Sequence, residues 1–276
     1  MDKSKKKVRE GRLATKLGTI WYWVDDSAGV GAPWLAFLPG LTADHRLFDN
    51  QMAYFSGKAN CLVWDPPAHG ASRPFALEFT LDEMARMLHD LLLAEGVKRP
   101  VLVGQSMGGY VSQAYLDLFP HEACGFVSID SAPLKRRYYP TWEVKALQHT
   151  KGMYEVIPFW LLKPWGAHGV STTKHGRELM RAFMDDYDKT SYVELAAFGY
   201  RILADAIEAD RSYDIGCPAL LLCGEHDRAG DVKPFNRKWS EGDSIPLVWV
   251  PGAGHNANVD NPVFVNERIE ELLTQI

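Results

Sequence analysis

The sequence predicts an α/β fold: a mostly parallel, doubly wound sheet interrupted by one helical insertion. Three observations predict it. Short apolar runs alternate with amphipathic stretches at helical spacing along most of the chain, as parallel strands covered by helices on both faces would. One such run, Val101-Leu102-Val103, breaks into Gly104-Gln105-Ser106-Met107-Gly108 and then into a helical stretch to Leu116. A serine thus stands on a tight turn between a strand and a helix. Between about residues 134 and 212 the alternation stops, leaving helices and loops rich in Tyr and Trp.

Each element has a local cause. Ala14 to Val24 reads as a first strand pair, with Gly18-Thr19 near its turn. The Trp34-Leu35-Ala36-Phe37-Leu38 and Cys61-Leu62-Val63-Trp64 runs are the next strands, with a helix from Asp44 to Gly57 between them. Thr80-Leu81-Asp82-Glu83 is a capping box, whose threonine and glutamate satisfy backbone N–H groups at a helix start. Leu81, Met84, Ala85, Leu88, Leu91 and Leu92 then form a stripe at helical spacing, which Gly96 closes. Phe126 to Ile129, Ala219 to Cys223 and Pro246 to Val250 are further strands. Asn261-Pro262 opens a last helix, with Ile269, Leu272 and Leu273 turned inward. The expected organisation is a core of residues 1–133 and 213–276 with a helical cap of residues 134–212.

Composition narrows the function classes. The chain has 276 residues, 46% of them hydrophobic, enough for one large core. A net charge of −5 without a basic stripe argues against a nucleic-acid partner. Lys3-Ser4-Lys5-Lys6-Lys7 and the following Arg9-Glu10-Gly11-Arg12 read as a solvated N-terminus. No apolar run follows those lysines, so no secretory signal is expected, and no stretch approaches the ~20 apolar residues of a membrane span. Cys61, Cys124, Cys217 and Cys223 lack metal-site spacing and are expected as reduced thiols in a cytoplasmic protein that acts on a small molecule. Oligomeric state is left open.

A serine hydroxyl needs a base to become a nucleophile, and the base needs an orienting acid. Candidates follow two of the later apolar runs: Gly224-Glu225-His226-Asp227 after one, Pro251-Gly252-Ala253-Gly254-His255 after the other. This constellation resembles the α/β-hydrolase superfamily, over about residues 12 to 276. The resemblance implies the α/β-hydrolase fold, with Ser106 as nucleophile, Asp227 as acid and His255 as base. It also implies an oxyanion hole from the backbone N–H groups of Leu41, in Phe37-Leu38-Pro39-Gly40-Leu41, and of Met107. Asp65-Pro66-Pro67-Ala68-His69-Gly70-Ala71-Ser72 is similar to a turn of the family, with Ala68 where glycine is usual, and is expected to be structural.

Competing assignments stay open at this point. Asp130 also follows a strand, and some relatives place the acid there. His69 and His226 are less suitable bases. Glu225 and Asp231 are nearby carboxylates expected to be solvated or paired. Asp44 and His45 could line the pocket, although Asp44 also suits a helix cap. Ser72, Arg73 and Lys135-Arg136-Arg137 are expected as turn and surface residues. Most aromatics of the cap should form its own small core, and a few should face the pocket.

A serine at the elbow argues against the branch that uses aspartate there, the epoxide hydrolases and haloalkane dehalogenases. The first expectation is hydrolysis of a small or medium apolar carboxylic ester or lactone through an acyl-enzyme, with no metal or organic cofactor. Because the base must be neutral, its rate should rise as the pH passes the ordinary histidine value of ~6.5. The alternatives are a C–C bond hydrolase or lyase acting on a diketone-like acid, and a non-enzymatic small-molecule receptor. Tyr110, where some acid-handling relatives carry Arg, favours the ester.

Overall fold

In the computed structural model, which describes residues 8–276, eight strands join in one sheet. They are β1 (Arg9–Ala14), β2 (Thr19–Asp25), β3 (Trp34–Leu38), β4 (Asn60–Trp64), β5 (Val101–Gln105), β6 (Gly125–Ile129), β7 (Ala219–Gly224) and β8 (Leu247–Val250). Their spatial order is β1-β2-β4-β3-β5-β6-β7-β8. β1 and β2 pair antiparallel, as do β2 and β4, and every pair from β4 across to β8 is parallel. The lysines at positions 3–7 lie outside the described residues.

The apolar strands are buried on both sides because helices cover both faces. Leu35, Phe37, Val101 and Val103 pack on one side with Phe55 of α1 (Asp49–Phe55) and Val265 and Ile269 of α11 (Pro262–Leu273). Ala36, Leu38 and Leu102 pack on the other with α2 (Leu81–Ala94), α3 (Met107–Leu118) and α9 (Val232–Asp243). The chain steps outward from β3 to β4, then crosses back to β5 on the other side of β3. The helices that follow β3 and β5 therefore lie on opposite faces. That reversal leaves a crevice at the carboxyl ends of the two strands, where open α/β sheets bind ligands.

The capping box at Thr80 forms: Thr80 Oγ1 accepts from the Glu83 N–H, and the Glu83 carboxylate accepts from the Thr80 N–H. The first strand pair differs from expectation. Its turn is Thr15–Gly18, and β1 lies upstream of Ala14, in residues expected to be solvated. As an edge strand β1 is held by its backbone ladder to β2, so its charged side chains carry no apolar alternation. α9 and the short α10 (Ala257–Asp260) were not foreseen either. In α9 only Phe235, Asn236 and Trp239 are buried, too few for a clear stripe.

Five helices occupy the chain between β6 and β7: α4 (Thr141–Gln148), α5 (Lys151–Val156), α6 (Phe159–Val170), α7 (Lys174–Asp185) and α8 (Lys189–Glu208). Their aromatics divide three ways. Phe183, Tyr187 and Phe198 are buried, Tyr154, Tyr192 and Tyr200 line a cavity described below, and Trp142, Trp160 and Trp165 are exposed. Among the described residues no helix is long and apolar enough to cross a membrane. All four cysteines are free thiols, with only Cys217 partly exposed.

His69, in the turn after β4, is fully buried, and its Nδ1 pairs with the Pro67 carbonyl oxygen at 2.9 Å. Burial lowers its imidazole from 6.5 to about 4, against smaller opposing effects of Pro67, Asp65 and Asp44. Between those two values the unfolded chain holds a proton that the folded chain does not. The contribution is present above about pH 6.5 and is lost as the pH falls through about 4. The slope is about 1.4 kcal/mol per pH unit, on the order of 3 kcal/mol in all. Denaturant unfolding between neutral pH and about pH 4 should show this loss, and His69→Asn should flatten it.

Candidate active site

The site begins where β5 stops. Ser106 sits between β5 and α3 with φ +49° and ψ −115°, a conformation that L-residues rarely adopt. Its N–H donates to the Ile129 carbonyl at 2.9 Å, and its own carbonyl accepts from the Gly109 N–H at 2.9 Å. The turn is possible because the backbone closes on itself. A Cβ on Gly104 would overlap the Gly108 carbonyl, and one on Gly108 would overlap the Leu38 carbonyl.

Two further loops meet this turn. His255 Nε2 lies 3.0 Å from Ser106 Oγ, and His255 Nδ1 lies 2.9 Å from Asp227 Oδ2. The Asp227 side chain is fully buried, and its other oxygen accepts from the Ala229 N–H at 2.8 Å. The loops carrying these residues are joined by backbone bonds: Glu225 N–H to the Val250 carbonyl at 3.1 Å and His226 N–H to the Ala253 carbonyl at 2.8 Å.

Asp130, the competing carboxylate, does something else. It is fully buried, its Oδ1 accepts from Gly224 N–H at 2.7 Å and its Oδ2 from Ala257 N–H at 2.8 Å. Both oxygens are spent on backbone, one bond to each loop, and His255 pairs with Asp227 instead. Burial, then the neighbouring Asp227 charge, pushes the Asp130 carboxyl well above the usual range.

Sequence reasoning missed two residues that hold His255. Gln105 Nε2 donates to the His255 carbonyl at 2.8 Å. Asp260 accepts from the Gly254 N–H at 2.9 Å, from the N–H groups of Thr172 and Thr173, and from the hydroxyls of Ser171 and Thr173. Burial alone would raise the Asp260 carboxyl, but these donors outweigh it and lower it. The available signal for Gln105 was its place inside the turn, one residue before Ser106. For Asp260, nothing local marks a partner some ninety residues upstream.

The N–H groups of Leu41 and Met107 have no acceptor among the described residues. The loop carrying Leu41 lies close beside the turn, since a Cβ on Gly40 would overlap the Gln105 side chain and stand 3.1 Å from Ser106 Cβ. Above Ser106 is a cavity of about 170 Å³. Leu41, Thr42, Ser106 and His255 lie at its base, and α5–α8 supply its walls, with no Lys or Arg among the described lining residues. A larger open cleft, about 510 Å³, includes Lys135, Arg137 and Asp243 but none of Ser106, Asp227 or His255. Its Lys135 and Arg137 are already paired with Asp243.

Other sequence candidates take structural places. Asp44 caps the turn His45–Phe48 and binds Arg46, while His45 stacks on Trp23 and pairs with Asp65 at 2.7 Å; neither lines the cavity. Ser72 bonds the Asp65 carbonyl and the Trp21 N–H. Arg73 reaches the Asp186 carbonyl at 2.8 Å and covers Tyr187, more than a surface residue would do. Arg136 pairs with Glu208 at 3.3 Å, and Glu225 accepts from the Gly252 N–H. Asp231 precedes α9 without a side-chain cap bond, and Tyr110 is buried against Tyr139. Among the described residues, two trios have ligand atoms within 4.8 Å of one another: Asp44, His45 and Asp65, and Asp130, Cys223 and Asp227. Their carboxylates already accept protein N–H groups, and burial pushes the Cys223 thiol up.

Gly108→Ala tests the closure of the turn. The Leu38 carbonyl is backbone and cannot swing aside, so the variant is expected to lose about 3 kcal/mol or more by denaturant unfolding. A stability within about 0.5 kcal/mol of wild type would contradict that close approach.

Comparison with known proteins agrees with this architecture. A model of the alpha/beta hydrolase family matches residues 35–268. A 2-succinyl-6-hydroxy-2,4-cyclohexadiene-1-carboxylate synthase of Pectobacterium atrosepticum is 26% identical over 254 residues, covering 88% of this chain and 94% of that protein. Among solved structures, the Cif epoxide hydrolase of Acinetobacter nosocomialis superposes with a TM-score of 0.81 at 14% identity, covering 97% of this chain and 90% of that one. The enol-lactonase of Burkholderia xenovorans superposes at 0.73 with 19% identity, covering 96% and 100%. With its mostly parallel sheet, its serine turn and a family match spanning most of its length, the chain belongs to the alpha/beta hydrolase family.

Proposed function

We propose that this protein is a serine hydrolase that cleaves a small to medium, uncharged carboxylic ester or lactone. The observation that carries the reading is the unbroken line from Asp227 through His255 to Ser106 Oγ, opening into a cavity with neutral walls. Residues 134–212 serve as a cap, since α5–α8 furnish the cavity walls.

In this mechanism His255 Nε2 takes the Ser106 proton as Oγ attacks the carbonyl carbon. The negative charge moves to the carbonyl oxygen, which the N–H groups of Leu41 and Met107 receive. Each such donor contributes about 10²–10³ in rate. Asp227 accepts the His255 Nδ1–H, holds that tautomer and stabilises the imidazolium without taking its proton. Collapse of the tetrahedral species expels the alkoxide, which His255 protonates. Water, deprotonated by the same histidine, then attacks the acyl-enzyme, releasing the acid and restoring Ser106. The scheme requires no cofactor.

The relative's name, synthase of a succinyl-substituted carboxylate, favours a second reading, chemistry on an acidic substrate. Burying a carboxylate without a partner costs several kcal/mol, and among the described residues no Lys or Arg lines this cavity, so the ester is the better fit.

Turnover of p-nitrophenyl esters of graded acyl length tests the reading. Wild type should hydrolyse short and medium esters. Ser106→Ala should lose about 10⁴-fold or more in kcat, and Asp227→Asn about 10⁴-fold. Absence of turnover on every ester and lactone tried would overturn the reading in favour of the acidic substrate or a receptor.

A further inference from the structure

The cavity above Ser106 has two chemically different walls. α5 and α8 present the phenols of Tyr154, Tyr192 and Tyr200. α6 and α7 present only carbon and sulfur: Leu162, Val170, Met180 and Met184, with Gly166 among them.

Gly166 lies inside α6, where glycine is less stable than alanine, and two ordinary reasons for a helical glycine are absent. Its φ is not positive, so no unusual backbone demands it. Close packing does not demand it either. A Cβ there would meet only Met184, at 3.6 Å from Sδ and 3.8 Å from Cε, which is ordinary contact. Gly176 and Gly199 are different, because a Cβ would collide with Ser171 in one case and Leu41 in the other. What the missing methyl of Gly166 leaves behind is space beside a cavity-lining thioether.

We propose that the α6–α7 wall is an alkyl-binding subsite and that Gly166 sets its depth. This rests on the ester-hydrolase reading for the identity of the substrate, though not for the subsite itself. The ligand class is an uncharged ester or lactone bearing an unbranched alkyl group. Met180 and Met184 suit such a group, because their flexible thioethers adapt to a chain of changing length. The phenols opposite suit the oxygen-bearing end, and two of them, Tyr154 and Tyr192, stay neutral. Burial, with Tyr200 alongside, pushes the Tyr154 hydroxyl well up, and burial raises Tyr192 to about 12.

The test uses ligands that need no turnover: methyl ketones with five to eleven carbons, binding to the full chain followed by calorimetry and thermal shift. Wild type should bind with an affinity that rises with chain length up to a limit. Gly166→Ala should lower that limit, weakening the longest ketone that binds by about tenfold or more while the shortest is unchanged. Its Tm should rise by about 2–4 °C from helix propensity. Gly169→Ala, on the same helix but outside the cavity lining, should keep the wild-type profile. Met184→Ala should extend the limit, a check that stands even if Gly166→Ala folds poorly. The subsite is overturned if wild type binds none of the ketones, if Gly166→Ala keeps the wild-type profile, or if Gly169→Ala shifts it equally. Ketone binding with the expected profile but no ester turnover would leave the subsite standing and remove the ester reading. Ester turnover with one chain-length profile in wild type and Gly166→Ala would do the reverse.

Discussion

The packing of the turn after β5 against the end of β3 is the constraint on which the site depends. Gly108 rests on the Leu38 carbonyl and Gly104 on the Gly108 carbonyl, so α3 starts within one residue of the strand. That leaves Ser106 with a positive φ and holds its hydroxyl up from the sheet edge. A conformation of this kind costs about 1–3 kcal/mol and persists only where the surroundings over-determine it. Here they do: the Ser106 N–H and carbonyl are both bonded, and β5 is a central strand with parallel neighbours on both sides. The same contact brings the loop after β3 alongside, so one packing requirement positions both the hydroxyl and the N–H groups of Leu41 and Met107.

The histidine is held by a different device, a set of buried polar groups. Asp130 bonds one N–H at the end of β7, just before Asp227, and one at the start of α10, just after His255; Gln105 bonds the His255 carbonyl, and Asp260 bonds the N–H of the preceding Gly254. Asp260 also gathers Ser171, Thr172 and Thr173, which join α6 to α7. The turn beside the cavity walls and the loop bearing His255 therefore share one carboxylate, and α6 adds a second tie through the Val170 carbonyl and the Asn256 N–H at 3.0 Å. Buried carboxylates of this kind are stable only while fully bonded.

The parts of this architecture legible in the sequence are those with local causes. Glycines around Ser106, apolar runs ending just before Asp227 and His255, and the Thr80–Glu83 box each announce themselves within a few residues. Matching them to a known family supplied the fold they belong to and the expected roles of Ser106, Asp227 and His255, which no single run states. What stayed hidden depends on distant partners. β1 has no apolar alternation, because an edge strand is specified by the neighbour it pairs with. Asp130 and Asp227 look alike in sequence, each a carboxylate just past a strand, and only the assembled loops show that one bonds backbone and the other the imidazole. The aromatics between Tyr138 and Tyr200 are similarly ambiguous. Whether such a side chain is buried, exposed or facing the cavity depends on how five helices pack, so that Trp160 is exposed while Tyr154, six residues earlier, lines the cavity.

The central claim is that the Ser106 hydroxyl is an activated nucleophile. Its most direct test is reaction of the native protein with a fluorophosphonate, followed by intact mass and peptide mapping. The account expects one adduct, on the peptide containing Ser106, formed by wild type and suppressed when His255 is replaced by alanine. No adduct, or an adduct formed equally well without His255, would contradict it.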